Sequence, residues 1–173
     1  ITDYPGFIQN ATAFINGQSN ITIQNMRLLN SGSTLKQEGG WVAQAFFSSV
    51  ASNNNILYCS SNGDINSYGG GISGSYTCSR GGSCTIQYCY STGTLNQDAG
   101  GICGASTAYN DTLNQTTCII NYCYSTGNIN GLRAGGICGT TTPYCISTGN
   151  LNTSCSINYC YSFGTISGTS SGG

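Results

Sequence analysis

Eleven cysteines and no histidine stand in this chain of 173 residues, so sulfur is the first chemistry to consider. Cys59, Cys78, Cys84, Cys89, Cys103, Cys118, Cys123, Cys138, Cys145, Cys155 and Cys160 can pair as disulfides, ligate a metal, or fill a core as small apolar side chains. A structural zinc site is usually announced by Cys-x-x-Cys pairs or by a histidine that completes the set. Neither occurs, so no metal and no other cofactor is expected. Disulfides are favoured, which implies an oxidising setting: secreted, extracellular, or on a cell or virion surface. All eleven are candidates, and the odd count leaves at least one thiol free or joined to another chain. Connectivity is not legible in the spacing, and buried reduced thiols remain the competing reading.

Other catalytic chemistry finds little to work with. A cysteine nucleophile lacks a histidine base. The acids are scattered: Asp3, Glu38, Asp64, Asp98 and Asp111. Asp64 and Asp98 stand near similar places ahead of a Gly-Gly pair, but the next copy of that phrase carries Arg133 and no acid, so a solvated turn is the better reading. No catalytic residue and no enzymatic activity is expected. With a formal net charge of -1 there is no basic surface for nucleic acid or an anionic membrane. No apolar run approaches the ~20 residues of a membrane helix, so membrane insertion is not expected. So weakly charged a chain tends to associate with itself.

Asn10, Asn20, Asn110, Asn114 and Asn152 head Asn-x-Ser/Thr triplets. Their number is what the Asn, Ser and Thr content produces by chance. In a eukaryotic secretory pathway they are candidate N-glycosylation sites of a glycoprotein. The chain opens at Ile1 with no Met and no basic-then-apolar leader, which the secreted reading takes as a leader already removed.

The elements that hold these residues are set by repetition. Cys118–Gly139 (Cys-Ile-Ile-Asn-Tyr-Cys-Tyr-Ser-Thr-Gly-Asn-Ile-Asn-Gly-Leu-Arg-Ala-Gly-Gly-Ile-Cys-Gly) restates Cys84–Gly104; a third copy runs from Cys155 to Gly173, and a looser one from Ile56 to Gly74. Cys59, Cys89, Cys123 and Cys160 step by 30, 34 and 37 residues. Tyr144–Asn152 is a smaller echo of Tyr122–Asn130. Ile119–Tyr124 is β-branched and aromatic and reads as a strand, Ser125–Asn128 as its turn, and Ala134–Gly139 as a corner of small residues. No window carries a helical period. The expected fold is all-β: a single-chain β-solenoid, or β-helix, of about four to five repeats, disulfide-stabilised, with almost no helix.

Equivalent residues on successive coils then lie about 4.8 Å apart and stack in ladders. Expected ladders are Ile72, Ile102 and Ile137; Tyr88, Tyr122 and Tyr159; Cys84, Cys118 and Cys155; Cys89, Cys123 and Cys160; and Cys103 and Cys138. Rung-to-rung disulfides are geometrically possible, whereas Cys84 with Cys89 is disfavoured.

Three segments are expected. Residues 1–20 form a non-repeat segment, a cap or a strand donated to another subunit. Residues 21–54 form a degenerate first repeat, in which Glu38–Val42 echoes Ala99–Cys103 and Met26 or Trp41 stands for cysteine. Residues 55–173 form the cysteine-rich array. The last copy stops at Gly172-Gly173, where the others continue into Ile-Cys-Gly, and an open rung is expected there unless the chain continues beyond.

The run Ala-Gly-Gly-Ile-Cys-Gly, with Ile-x-Tyr-Cys-Tyr-Ser-Thr-Gly-x-Ile-x-Gly downstream, resembles the GLUG motif. That repeat is found in large bacterial surface proteins such as adhesins and IgA-protease-type exoproteins. The likeness covers residues 56–173; the cysteines and the Tyr-Cys-Tyr triplet depart from the usual version. It implies a β-rich, non-catalytic, cell-surface segment and carries over no site residue.

Two functions compete. One is a structural subunit of a filament, appendage or surface layer, assembling head-to-tail with itself by strand addition. Phe7, Ile8, Phe14, Ile15, Gly172 and Gly173 are its candidate assembly residues. The other is an adhesin or a glycan- or ice-binding face. It would use tyrosines with stacked hydroxyls from Ser91-Thr92-Gly93, Ser125-Thr126-Gly127 and Ser147-Thr148-Gly149.

Overall fold

A computed structural model describes residues 1–13, 15–30, 32–112, 114–143 and 152–173. Phe14, Cys145 and Ser147–Gly149 lie outside the described residues. The chain winds as a β-solenoid of about four turns, and no helix occurs among the described residues. One parallel sheet stacks β1 (Thr22–Gln24), β3 (Asn54–Leu57), β5 (Ser83–Gln87), β7 (Thr116–Asn121) and β9 (Thr153–Asn158) in that order. A second stacks β2 (Arg27–Leu28), β4 (Ser60–Ser61), β6 (Tyr90–Ser91), β8 (Tyr124–Ser125) and β10 (Tyr161–Ser162).

The long strands obey period-two alternation: in β7, Thr116, Cys118 and Ile120 point inward while Thr117, Ile119 and Asn121 point out. Continued alternation would drive Tyr122 into the core. Instead Tyr122 takes a left-handed backbone (φ 51°), which turns the ring outward and Cys123 inward. Tyr58, Tyr88 and Tyr159 do the same at φ 55°, 56° and 53°. The expected single strand Ile119–Tyr124 is therefore two strands with a corner at the tyrosine. Asn25, a residue type tolerant of this conformation, holds the position one coil earlier (φ 58°).

Three more lines of parallel bridges complete each coil. They are Ile65–Leu95–Ile129–Ile166, Gly40–Gly70–Gly100–Gly135–Gly172, and Ala43–Ser73–Cys103–Cys138. Ile72, Ile102 and Ile137 stack as expected, the first two fully buried. The Ser-Thr-Gly and Gly-Gly phrases prove to be two halves of one contact across the interior. Ser61 Oγ donates to the Gly71 carbonyl at 2.6 Å, and Ser91 Oγ donates to that of Gly101. A Cβ on Gly101 would overlap the Gly136 carbonyl and Ser125, which is why glycine stands there.

The described residues of 21–54 form a coil, with Ile23 in register with Ile56 and Ile86. Met26 holds the Cys59 position, as expected, but the Glu38–Val42 echo is one residue out. Gly40 pairs with Gly70, so Trp41 falls where Gly71 and Gly101 fall, not at a cysteine position. Its indole fills the space inside the coil against Leu35 and Ile65, and Nε1 donates to the Asp64 carbonyl at 3.2 Å.

Residues 1–13 run as a partial coil on top. Tyr4 bridges Leu35 and Ile8 bridges Ala43, both parallel, and the Tyr4 ring lies 5.4 Å from that of Trp41. Of the candidate assembly residues, Ile8 packs on the core, Phe7 and Ile15 are exposed, and Gly172 closes the Gly135 rung.

Candidate functional site

The Tyr-Cys-Tyr triplet builds three ladders along one corner. Inside, Cys59, Cys89, Cys123 and Cys160 stack thiol on thiol, and the Cys89 and Cys160 sulfurs accept the Cys59 and Cys123 N–H at 3.4 Å. Outside, Tyr58, Tyr88, Tyr122 and Tyr159 stack face to face at 5.0, 5.1 and 4.8 Å. Beside them Tyr90, Tyr124 and Tyr161 stack at 4.9 and 5.1 Å. Seven rings thus make an uncharged aromatic ribbon whose spacing is that of the backbone. Burial pushes the Tyr124 hydroxyl up, with its two stacked neighbours contributing.

The hydroxyl array does not accompany it. Among the described residues, Ser61, Ser91 and Ser125 are buried, and Thr92 and Thr126 of that phrase face out, in a row continued by Asn62 on one side and Phe163 on the other. Two threonines between an amide and a phenyl ring are not a regular lattice.

A second sulfur group lies between the strand wall and the wall opposite. Cys84, Cys118 and Cys155 are in register on β5, β7 and β9, and Cys103 bridges Cys138 across from them. Cys78 and Cys84 form a disulfide, so the bridge observed among the described residues is local rather than rung to rung. The sulfurs of Cys78, Cys84 and Cys118 lie within 4.8 Å of one another. Cys103, Cys118, Cys155 and Cys138 close a ring in which each thiol touches two others. Hydrogen bonds from Cys118 and Cys138 hold the Cys155 thiol down to about 4, against the effect of burial. Hydrogen bonds with Cys118 and Cys138, together with burial, push Cys103 well up.

Asp64 and Asp98 are not equivalent. Asp64 is an exposed turn residue whose Oδ1 accepts the Thr94 N–H at 3.0 Å. Asp98 is fully buried, which corrects the expectation of a solvated turn. Its equivalent one coil on is Arg133, which donates to both carboxylate oxygens at 2.7 and 3.0 Å; Gln97 adds a bond at 3.0 Å. These donors, Arg133 first, hold the Asp98 carboxyl below its ordinary range. Stacking puts opposite charges one rung apart here, where like charges would repel.

Asn20, Asn114 and Asn152 are exposed and Asn10 is half-buried. Asn110 is buried, its amide donating to the Asn114 carbonyl at 2.8 Å and to Thr153 at 3.2 Å, so the folded chain does not present it. No helix is long and apolar enough to cross a membrane among the described residues. No family model, no curated protein and no solved structure matches the chain.

Proposed function

We propose that the protein is an extracellular structural subunit of a filament, appendage or surface layer, built by stacking solenoid coils of one copy on those of the next. The observation that carries this reading is the outer coil of β9 and β10. Ile120 and Ile129 are fully buried, while their ladder equivalents Ile157 and Ile166 are 45% and 49% exposed. Tyr159, Tyr161 and Phe163 beside them are exposed too, and no charged residue guards the edge. This coil carries the residues of a core, which in a solenoid are covered by a further coil. An uncharged parallel edge is a template for further strands. At the opposite end β1 and β2 are the last strands of their sheets, and the bridges of Tyr4 to Leu35 and Ile8 to Ala43 lie on the other walls of that coil. The likeness to surface-protein GLUG repeats and the heavy cysteine usage support an extracellular setting.

Sedimentation velocity on the purified chain tests this. The natural chain sediments as a concentration-dependent series of oligomers, and Ile157→Lys with Ile166→Lys reduces it to monomer. A natural chain that stays monomeric at all concentrations overturns the reading.

The aromatic ribbon favours one further reading, a glycan-binding adhesin in which sugar rings stack on the outer tyrosines. Glycan-array binding that is lost in Tyr88→Ala with Tyr122→Ala checks it, and its absence removes it.

A further inference from the structure

Comparison of successive coils shows that each strand-wall residue of the Cys84 ladder faces one partner on the opposite wall of its own coil, by a device that changes from coil to coil. Two positions on that wall are in reach. One is the line Ala43–Ser73–Cys103–Cys138. The other is Ser48, Cys78 and Ala108, three residues with the same left-handed φ (62°, 55° and 57°), tied by the bonds of Cys78 N–H to Phe47 and of Ala108 N–H to Thr77. The facing residues on the strands are Asn54, Cys84, Cys118 and Cys155.

The two wall positions alternate in holding the reactive group. In the first coil Ser48 Oγ accepts the Asn54 side-chain N–H at 3.0 Å, and no cysteine is present at any of the three places. In the second the line residue is Ser73, the other position is Cys78, and Cys78 is bonded to Cys84. In the third the second position falls back to Ala108, the line residue becomes Cys103, and Cys103 touches Cys118. In the fourth Cys138 on the line touches Cys155. Wherever the strand offers a thiol, the facing wall offers one, from one position or the other. Pairing along the ladders would give no reason for Cys78 to appear where Ser73 replaces the line cysteine, or for Ala108 to replace it where Cys103 is present.

From this one-to-one matching we infer that the oxidised protein is cross-linked wall to wall within its coils, by disulfides Cys103–Cys118 and Cys138–Cys155 in addition to Cys78–Cys84. Each bond forms by two exchanges with a small-molecule disulfide such as oxidised glutathione. A cysteine thiolate attacks one glutathione sulfur and expels a glutathione thiolate; its partner's thiolate then attacks the protein sulfur of the mixed disulfide and expels the second. Two protein thiols are oxidised, one glutathione disulfide is reduced to two thiols, and the protons lost by the cysteines end on them. The inference does not rest on the extracellular reading, because glutathione supplied in vitro is the oxidant.

The test refolds the reduced full chain in mixed oxidised and reduced glutathione, blocks residual thiols with N-ethylmaleimide, and maps peptides without reduction. Cleavage at Arg80, Tyr109, Arg133 and Tyr144 separates the partners. Linked peptides carrying Cys78/Cys84, Cys103/Cys118 and Cys138/Cys155 are expected. Links Cys84/Cys118, Cys118/Cys155 or Cys103/Cys138 overturn the inference, as do four unlinked cysteines, whether bare or holding zinc in a native mass spectrum. A second variant works even if yields fall: Cys103→Ser adds one maleimide adduct, at Cys118, and leaves Cys138/Cys155 intact. An adduct at Cys138 instead would mean rung-to-rung pairing.

Discussion

Replacing Tyr122 with alanine removes a ring that stacks on two neighbours, Tyr88 at 5.1 Å and Tyr159 at 4.8 Å. Replacing Tyr58 removes one that, among the described residues, stacks only on Tyr88, at 5.0 Å. At about 0.5–1.5 kcal/mol per aromatic pair, Tyr122→Ala costs about 1–3 kcal/mol and Tyr58→Ala about half that. Both alanines keep a Cβ at a left-handed φ, which costs an L-residue about 1–2 kcal/mol, so that term cancels between them. Asparagine bears the conformation more easily, as Asn25 does one coil above Tyr58. Tyr122→Asn therefore recovers part of the loss and lies between Tyr122→Ala and the natural chain. Thermal unfolding followed by circular dichroism reads the differences, at roughly 2–4 °C per kcal/mol for a chain of this size. Equal losses for Tyr58→Ala and Tyr122→Ala, or an asparagine variant less stable than the alanine one, would refute the claim that stacking offsets backbone strain at this corner.

Asp98 has a depressed folded pKa, so its contribution is present above the ordinary carboxylate range and is lost as pH falls through the folded value. The drop in melting temperature between neutral and strongly acid pH is accordingly smaller in Asp98→Asn than in the natural chain. Ser91→Ala removes a buried hydroxyl bond to the Gly101 carbonyl and lowers stability by about 0.5–1.5 kcal/mol in urea denaturation. Gly101→Ala places a methyl against Gly136 and Ser125 and is far more damaging, to the point of lost soluble yield. In the reduced, folded chain hydrogen bonds from Cys118 and Cys138 lower the Cys155 thiol and it is less buried than Cys103, so brief iodoacetamide treatment labels it ahead of Cys103, as peptide mass spectrometry will show.

The repeat was the most legible feature. Its period, the isoleucine, tyrosine and cysteine ladders and the lack of helix all follow from like residues recurring at like places, which is the one signal a solenoid cannot hide. What escaped was everything that depends on how two phrases meet across a coil. Ser91 and Gly101 are ten residues apart and read separately as a turn and a corner; only the closed coil makes them donor and acceptor. Tyr122 fits a strand by propensity, yet strand alternation would bury it, and the left-handed turn that solves the conflict leaves no mark beyond Asn25 at the same place. Trp41 slipped by one residue because an indole beside Gly40 resembles Ile-Cys beside Gly101, while its bulk is admitted by Gly63 across the coil, where a Cβ would overlap it. The Asp98–Arg133 pair was visible as an acid and a base at similar places, but not that the acid is buried.

The coil edge is where structure and proposed function meet, and electron microscopy with fibre diffraction of the purified, unreduced chain addresses it directly. Stacking of β9 on the β1 edge of the next copy predicts unbranched rods of single-solenoid width, lengthening with concentration, with a meridional reflection near ~4.8 Å. Discrete particles one chain long, unchanged at the highest attainable concentration and giving no such reflection, would contradict it.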